Sequence, residues 1–131
     1  MSHRLTITVQ PEMYAICKLK PAAKVPEWAA DENFCCVTRT ESELSIVCPE
    51  QQLPRGTKAE RSWRLLRVEG KLSCSLAGVL ASITSPLGDA QISVFAISTY
   101  DTDYVLVRDA ELNRAIQALE IAGHTVRRVY E

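Results

Sequence analysis

A chain of 131 residues, 47% of them apolar and with a net charge of −1, suffices for one compact domain or two small halves. That composition excludes a disordered chain, and the balanced charge removes the electrostatic reason to expect nucleic acid or an acidic membrane surface. No apolar run approaches the roughly 20 residues of a membrane span, and the opening Met1-Ser2-His3-Arg4-Leu5 has no signal-like apolar segment, so a soluble cytoplasmic protein is expected. The five cysteines are odd in number, two are adjacent (Cys35 and Cys36), and none forms a CxxC. With only two histidines, His3 and His124, that pattern argues against a zinc site and a disulfide scaffold. Most of the cysteines fall among strand residues, where small buried apolar side chains are expected.

The first half reads as short strands. Leu5, Ile7 and Val9 alternate with threonines, Pro11 and Glu12 are expected to break that run, and residues 14–19 begin another. Residues 21–26 form a loop, with a helical turn at 27–30. Residues 34–39 and 43–48 read as a hairpin around Thr40-Glu41-Ser42. The polar stretch 49–61, with Pro49, Pro54 and Gly56, marks a boundary between two halves, residues 1–61 and 62–131. It is too short for a free linker, so the halves are expected to be packed together.

From Ser62 the signals sharpen. Residues 63–69 make a strand closed by Gly70. A helix follows with Ser73 or Ser75 as N-cap and Leu76, Val79, Leu80, Ile83 and Leu87 on one face; Pro86 and Gly88-Asp89 supply its stop. Residues 91–108 then read as two alternating strands joined by the polar loop Ser98-Thr99-Tyr100-Asp101-Thr102-Asp103. Asp109 is expected to cap a second helix with the stripe Leu112, Ala115, Ile116, Leu119 and Ala122, which Gly123 ends. Residues 125–130 are a last strand. The order is βαββαβ, an α+β, ferredoxin-like arrangement.

A helical crossover makes the first two strands of such a unit run the same way, which sets the loop 70–75 and the loop 98–103 on one rim. Free N–H groups at the helix start favour an anion there, and Asp101 and Asp103 favour an ammonium group. Together these are the recognition needs of a free α-amino acid.

The run Leu76-Ala77-Gly78-Val79-Leu80-Ala81-Ser82-Ile83, followed by Pro86-Leu87-Gly88-Asp89-Ala90-Gln91-Ile92-Ser93-Val94-Phe95-Ala96-Ile97-Ser98-Thr99-Tyr100-Asp101-Thr102-Asp103-Tyr104-Val105-Leu106-Val107, resembles the ACT domain, an amino-acid-sensing regulatory module. The likeness is to the branch of CASTOR-type arginine sensors and aspartate kinases, and it covers residues 63 to 123. Residues 1–61 resemble a diverged first half of a stand-alone tandem ACT protein. The resemblance implies an effector held between two ACT units, with homodimeric assembly through sheet edges or helices. It also implies a ligand site of Ser75, Leu76, Ala77, Gly78 and Val79 on one side and Ser98, Thr99, Asp101, Thr102 and Asp103 on the other. Many ACT domains carry Pro-Gly before the helix, and here Ala77 stands at the proline place.

Plainer readings stand beside these. Gly78 serves helix-on-sheet packing as readily as ligand approach. Asp101 and Asp103 can brace the turn through local hydrogen bonds, and their DxD spacing lacks the further oxygen ligands of a metal site. Trp28 and Trp63 read as core anchors, the Arg61, Arg64 and Arg67 cluster as a solvated edge, and His124 as an exposed helix-end charge. Arg127-Arg128 is too short a run for nucleic acid. The chain has no GxSxG elbow and no phosphate-binding glycine loop, and neither histidine sits in a motif with a nucleophile. The expectation is therefore a non-enzyme without cofactor: an amino-acid sensor, or else an unliganded module for self-assembly or for docking on a partner protein.

Overall fold

Pro11 does not break the first strand. In the computed structural model, which describes residues 3–29, 34–70 and 77–129, β1 runs over Thr6–Leu19. A 3-10 turn (Glu27–Ala29) follows, then β2 (Cys36–Arg39), β3 (Leu44–Pro49), a second 3-10 turn (Glu50–Gln52) and β4 (Ala59–Val68). Next come α1 (Val79–Asp89), β5 (Phe95–Ser98), β6 (Asp103–Arg108), a third 3-10 turn (Asp109–Glu111), α2 (Leu112–Ile121) and β7 (Thr125–Arg128). The ladder of β1 to β7 is parallel over Thr6 to Val9, and its ladder to β3 is antiparallel over Tyr14 to Leu19. Pro11 falls in the gap between these registers, where its missing N–H costs neither ladder a bond.

The chain divides into two compact units, residues 1–11 with 64–131, and residues 12–63. In the first unit the strand order is β5-β6-β4-β1-β7, with βαββαβ connectivity from β4 to β7. A four-stranded ferredoxin-like sheet would pair its first and last strands directly; here the start of β1 lies between β4 and β7. Ile7 and Val9, each 1% exposed, fill that place in the core. They pack with Leu66 and Val68 of β4, Val105 and Val107 of β6, Ile83 and Leu87 of α1, and Leu112, Ala115 and Leu119 of α2. Of the helix stripes, Leu80 and Ile116 are partly buried against this core, while Ala122 is exposed.

Both helices depart from expectation at their ends. The described start of α1 is Val79, with Gly78 as its N-cap in the left-handed region (φ +84°), so Gly78 precedes the helix instead of lying inside it. The expected caps Ser73 and Ser75 lie outside the described residues, as do Ala30 and Tyr130. Pro86 does not stop α1, which continues to Asp89. Its missing N–H would have bonded the Ser82 carbonyl, and the His124 ring meets that oxygen instead, with Nε2 2.8 Å away. The helix ends in a Schellman turn: the Ile92 N–H donates to the Leu87 carbonyl and the Gln91 N–H to that of Gly88, both at 2.9 Å. Gln91, not a glycine, takes the left-handed position at φ +62°. α2 closes in the same way with Gly123 at φ +102°, as its sequence predicted. Asp109 does not cap α2; the N-cap is Glu111, and the Asp109 carboxylate lies 3.2 Å from the Arg64 guanidinium.

In the second unit the strands are ordered β4-β1-β3-β2. β2 and β3 form the expected hairpin, closed by the Thr40 N–H to the Glu43 carbonyl at 2.9 Å. One face buries Cys17, Ala29, Leu44, Ile46 and Cys48, with Trp28 packed partly against them. The Arg39 guanidinium donates to the Pro21 and Ala23 carbonyls and so ties down the loop before the first 3-10 turn. Among the described residues no helix is long and apolar enough to cross a membrane.

Candidate functional site

The β5–β6 loop owes its shape to its hydroxyl side chains. The Thr99 N–H donates to the Thr102 carbonyl at 2.9 Å, the Thr99 hydroxyl donates to the same oxygen at 3.1 Å, and the Thr102 N–H donates back to the Thr99 hydroxyl at 3.4 Å. Such side-chain bonds replace the glycine or asparagine geometry that short hairpins commonly use. The Thr102 hydroxyl, only 5% exposed as a residue, donates to the Val68 carbonyl at 2.7 Å. That bond fastens the loop to the end of β4.

A cleft of about 340 Å³ opens there, lined by Arg67, Gly70, Thr99, Tyr100, Asp101, Thr102 and Tyr104. Gly70 has φ +87°, a conformation that suits glycine as the chain leaves β4. Arg67 alternates with the buried Leu66 and Val68, so its side chain takes the sheet face opposite the helices. Its guanidinium is about half exposed, and its distance to the Glu69 carboxylate, 4.0 Å, is a loose contact. Asp101 is exposed at the turn. The wall therefore offers one cation, one anion and hydroxyl groups within a single small opening.

The residues expected in the site do not all meet here. Thr99, Asp101 and Thr102 line the cleft. Ser98 and Asp103 face each other across the β5–β6 ladder, and the Ser98 hydroxyl donates to Asp103 Oδ1 at 2.6 Å, so that carboxylate braces the hairpin. Ser75 and Leu76 lie outside the described residues. Ala77, Gly78 and Val79 are not on the cleft wall among the described residues. The Ala77 carbonyl lies 2.8 Å from His3 Nε2, and the same ring sits 3.6 Å from where a side chain on Gly78 would begin. Val79 is buried.

Gly70 and Tyr100 belong to the two loops expected on one rim, whereas Arg67 and Tyr104 lie outside them. Arg61, Arg64 and Arg67 do not form one solvated edge; the three have separate roles. Arg64 is largely buried and bonds Asp109 and the Gln10 carbonyl, the latter at 3.1 Å, while Arg61 reaches the Thr57 carbonyl at 3.4 Å. The strand alternation that sets Arg67 apart from its neighbours was present in the sequence; which loop would cover its face was not.

The family model for the ACT domain matches residues 58–120, and a model described as an N-terminal domain matches residues 12–56. The human protein named cytosolic arginine sensor for mTORC1 subunit 1 is 31% identical over 98 residues, which are 66% of this chain and 30% of that protein. The chain thus spans about 30% of the length of the arginine-sensor relatives it matches. The crystal structure of protein Atu0741 from Agrobacterium tumefaciens superposes with a TM-score of 0.94 at 30% identity, covering 99% of this chain and 97% of that one. The regulatory subunit of aspartate kinase from Thermus flavus superposes at 0.65 with 10% identity, covering 92% and 99%, a likeness of fold alone. The chain belongs to the ACT-domain family, as a regulatory, non-catalytic module related to the arginine-sensor proteins and sharing its fold with the regulatory domains of aspartate kinases.

Proposed function

We propose that the chain is a sensor that binds a small free amino acid in the cleft between the end of β4 and the β5–β6 loop. The observation that carries this reading is the presence of Arg67 and Asp101 on one wall of that cleft. A guanidinium suits an α-carboxylate, a carboxylate suits an α-ammonium, and the hydroxyls of Thr99 and Thr102 lie beside them. The volume is in the range of small-ligand sites. Similarity to proteins named as arginine sensors supports an amino acid as the ligand class. Ser98 and Asp103 hold the loop in shape, and Ser75, Leu76, Ala77, Gly78 and Val79 complete the site from a second ACT unit in a homodimer.

The second unit is read as a reduced ACT-like half, which makes the chain a tandem of two. Its strand order β4-β1-β3-β2 is the 4-1-3-2 order of a ferredoxin-like sheet, with 3-10 turns at the two helix positions. A cytoplasmic setting agrees with the free thiols of all four described cysteines.

Calorimetric titration of the full chain with each proteinogenic amino acid tests the proposal. One amino acid, or a few of similar chemistry, is expected to give saturable heat. Arg67→Ala and Asp101→Ala should each weaken it at least about tenfold, the loss of roughly 1.4 kcal/mol, with unchanged circular dichroism. Silence across the panel overturns the sensor and favours the assembly module, a reading to which His3 seated on Gly78 already lends weight.

A further inference from the structure

Neighbouring strand residues point to opposite faces, so Cys35 and Cys36, adjacent in sequence, do not act on one face together. Cys36 stands opposite Val47 in the antiparallel β2–β3 ladder. β2 begins at Cys36, and its register carried one residue beyond that start would set Cys35 opposite Cys48. The next step sets Phe34 opposite Pro49, which in turn faces Tyr14 on β1. The edge-on contact of the Tyr14 and Phe34 rings, with centroids 6.1 Å apart, agrees with that continuation.

Cys48 also faces Ala15 on its other side, and Cys17 lies two residues further along β1 on the same face. Cys17 and Cys48 are buried, Cys35 is exposed, and all three are free thiols. Burial pushes the Cys48 thiol up to about 11, and the nearby Cys17 and Cys35 sulfurs push in the same direction, which agrees with their closeness. Burial likewise raises the Cys17 thiol. Among the described residues no group of His, Cys, Asp and Glu is arranged to hold a metal ion.

We infer that Cys35 and Cys48 form an oxidation site for peroxides, with Cys35 as the solvent-facing thiol and Cys48 as its buried partner. Directly opposed strand residues hold their Cβ atoms about 4.5–5.5 Å apart, close to the roughly 3.5–4.5 Å of a disulfide. Diagonal neighbours such as Cys17 and Cys48 are farther apart. Cys35 sulfur, as thiolate, attacks one oxygen of hydrogen peroxide; an S–O bond forms, the O–O bond breaks, and the departing hydroxide takes the thiol proton to leave as water. Cys48 sulfur then attacks the sulfenic sulfur; the S–S bond forms, the S–O bond breaks, and a second water leaves with the Cys48 proton. Two thiols lose two electrons and two protons, and the peroxide takes up both. A dithiol reductant reverses the bridge by exchange. The bridge fastens the open end of the β2–β3 hairpin.

The test is disulfide mapping of the full-length reduced chain after hydrogen peroxide, since trypsin cuts at Arg39 and separates the two cysteines. The expected product is a peptide containing Cys35 linked to one containing Cys48, released by dithiothreitol. Cys36→Ser should leave that link in place and Cys35→Ser should abolish it. A link that persists in Cys35→Ser, bridges formed only between copies, or Cys35 driven to sulfinic acid with no link would each overturn the inference. Cys35 is exposed, so its serine variant is expected to fold as the parent does; if it did not, the position of the link in the parent protein and in Cys36→Ser decides the matter.

Discussion

Pro86 deprives the Ser82 carbonyl of its helical donor, and His124 meets that oxygen from the end of α2. The other ring nitrogen, Nδ1, accepts the Leu5 N–H at 3.1 Å, so Nε2 carries the proton. One ring thereby bonds a helix carbonyl that Pro86 leaves without its i+4 donor and the amide just before β1, while being only 5% exposed. Leaving such groups unpaired costs about 1–3 kcal/mol each, to which the vacated ring volume adds. His124→Ala is therefore expected to lower the unfolding free energy by about 3 kcal/mol in urea titration. A loss below about 0.5 kcal/mol would mean that these bonds contribute nothing net. Thr102 works on the same principle, since its methyl and hydroxyl pack under the loop while the hydroxyl reaches Val68. Arg67 and Asp101, the pair proposed to meet a ligand, are by contrast exposed.

The elements differ in how closely their sequence matches their conformation. α2 has Gly123 where the left-handed turn residue is needed. α1 has Gln91 in that position, at a cost of about 1 kcal/mol relative to glycine. Gln91→Gly is expected to stabilise the chain by about 0.5–1 kcal/mol, less than the full strain because glycine gains freedom in the unfolded state. A rise in the thermal midpoint supports this; an unchanged or lower midpoint means that the Gln91 side chain contributes contacts of its own. The offset end of α1 also explains why its stop was misplaced by sequence. Pro86 and Gly88-Asp89 look like terminators, but a proline is tolerated where another group serves the carbonyl it orphans, and that group lies 42 residues away along the chain. β6 and the α2 stripe up to Leu119 were legible because their periodicity is local, whereas the first hairpin strand, expected from residue 91, begins only at Phe95.

For the whole molecule, the stretch that resembles and matches the ACT family does not contain its whole sheet. β1 supplies Ile7 and Val9 to the core from residues far before the family match, together with the parallel ladder to β7. Burying two such side chains contributes about 3–6 kcal/mol, comparable to the total stability of a small domain. Residues 62–131 expressed alone are expected to lack a dispersed amide spectrum, whereas the full chain shows one. A well-dispersed spectrum from the fragment would show that β4 and β7 close the sheet without β1.

The sequence by itself determined the elements with strong local periodicity and the βαββαβ order, because hydrophobic repeat and turn chemistry act over a few residues, while the family showed only as a resemblance of the run 76–107. It also singled out the 98–103 loop, although the Ser98, Thr99 and Thr102 hydroxyls and the Asp103 carboxylate are bonded within the turn or to β4, which leaves Asp101 as its exposed carboxylate. Only the tertiary structure decided that Arg67 joins that loop while Asp103 is taken up by Ser98, that β1 enters between β4 and β7, and that His124 is buried. Each of these depends on which strand or loop lies opposite a given face, a choice set by the summed packing of residues distant in the chain, which no short window of sequence contains.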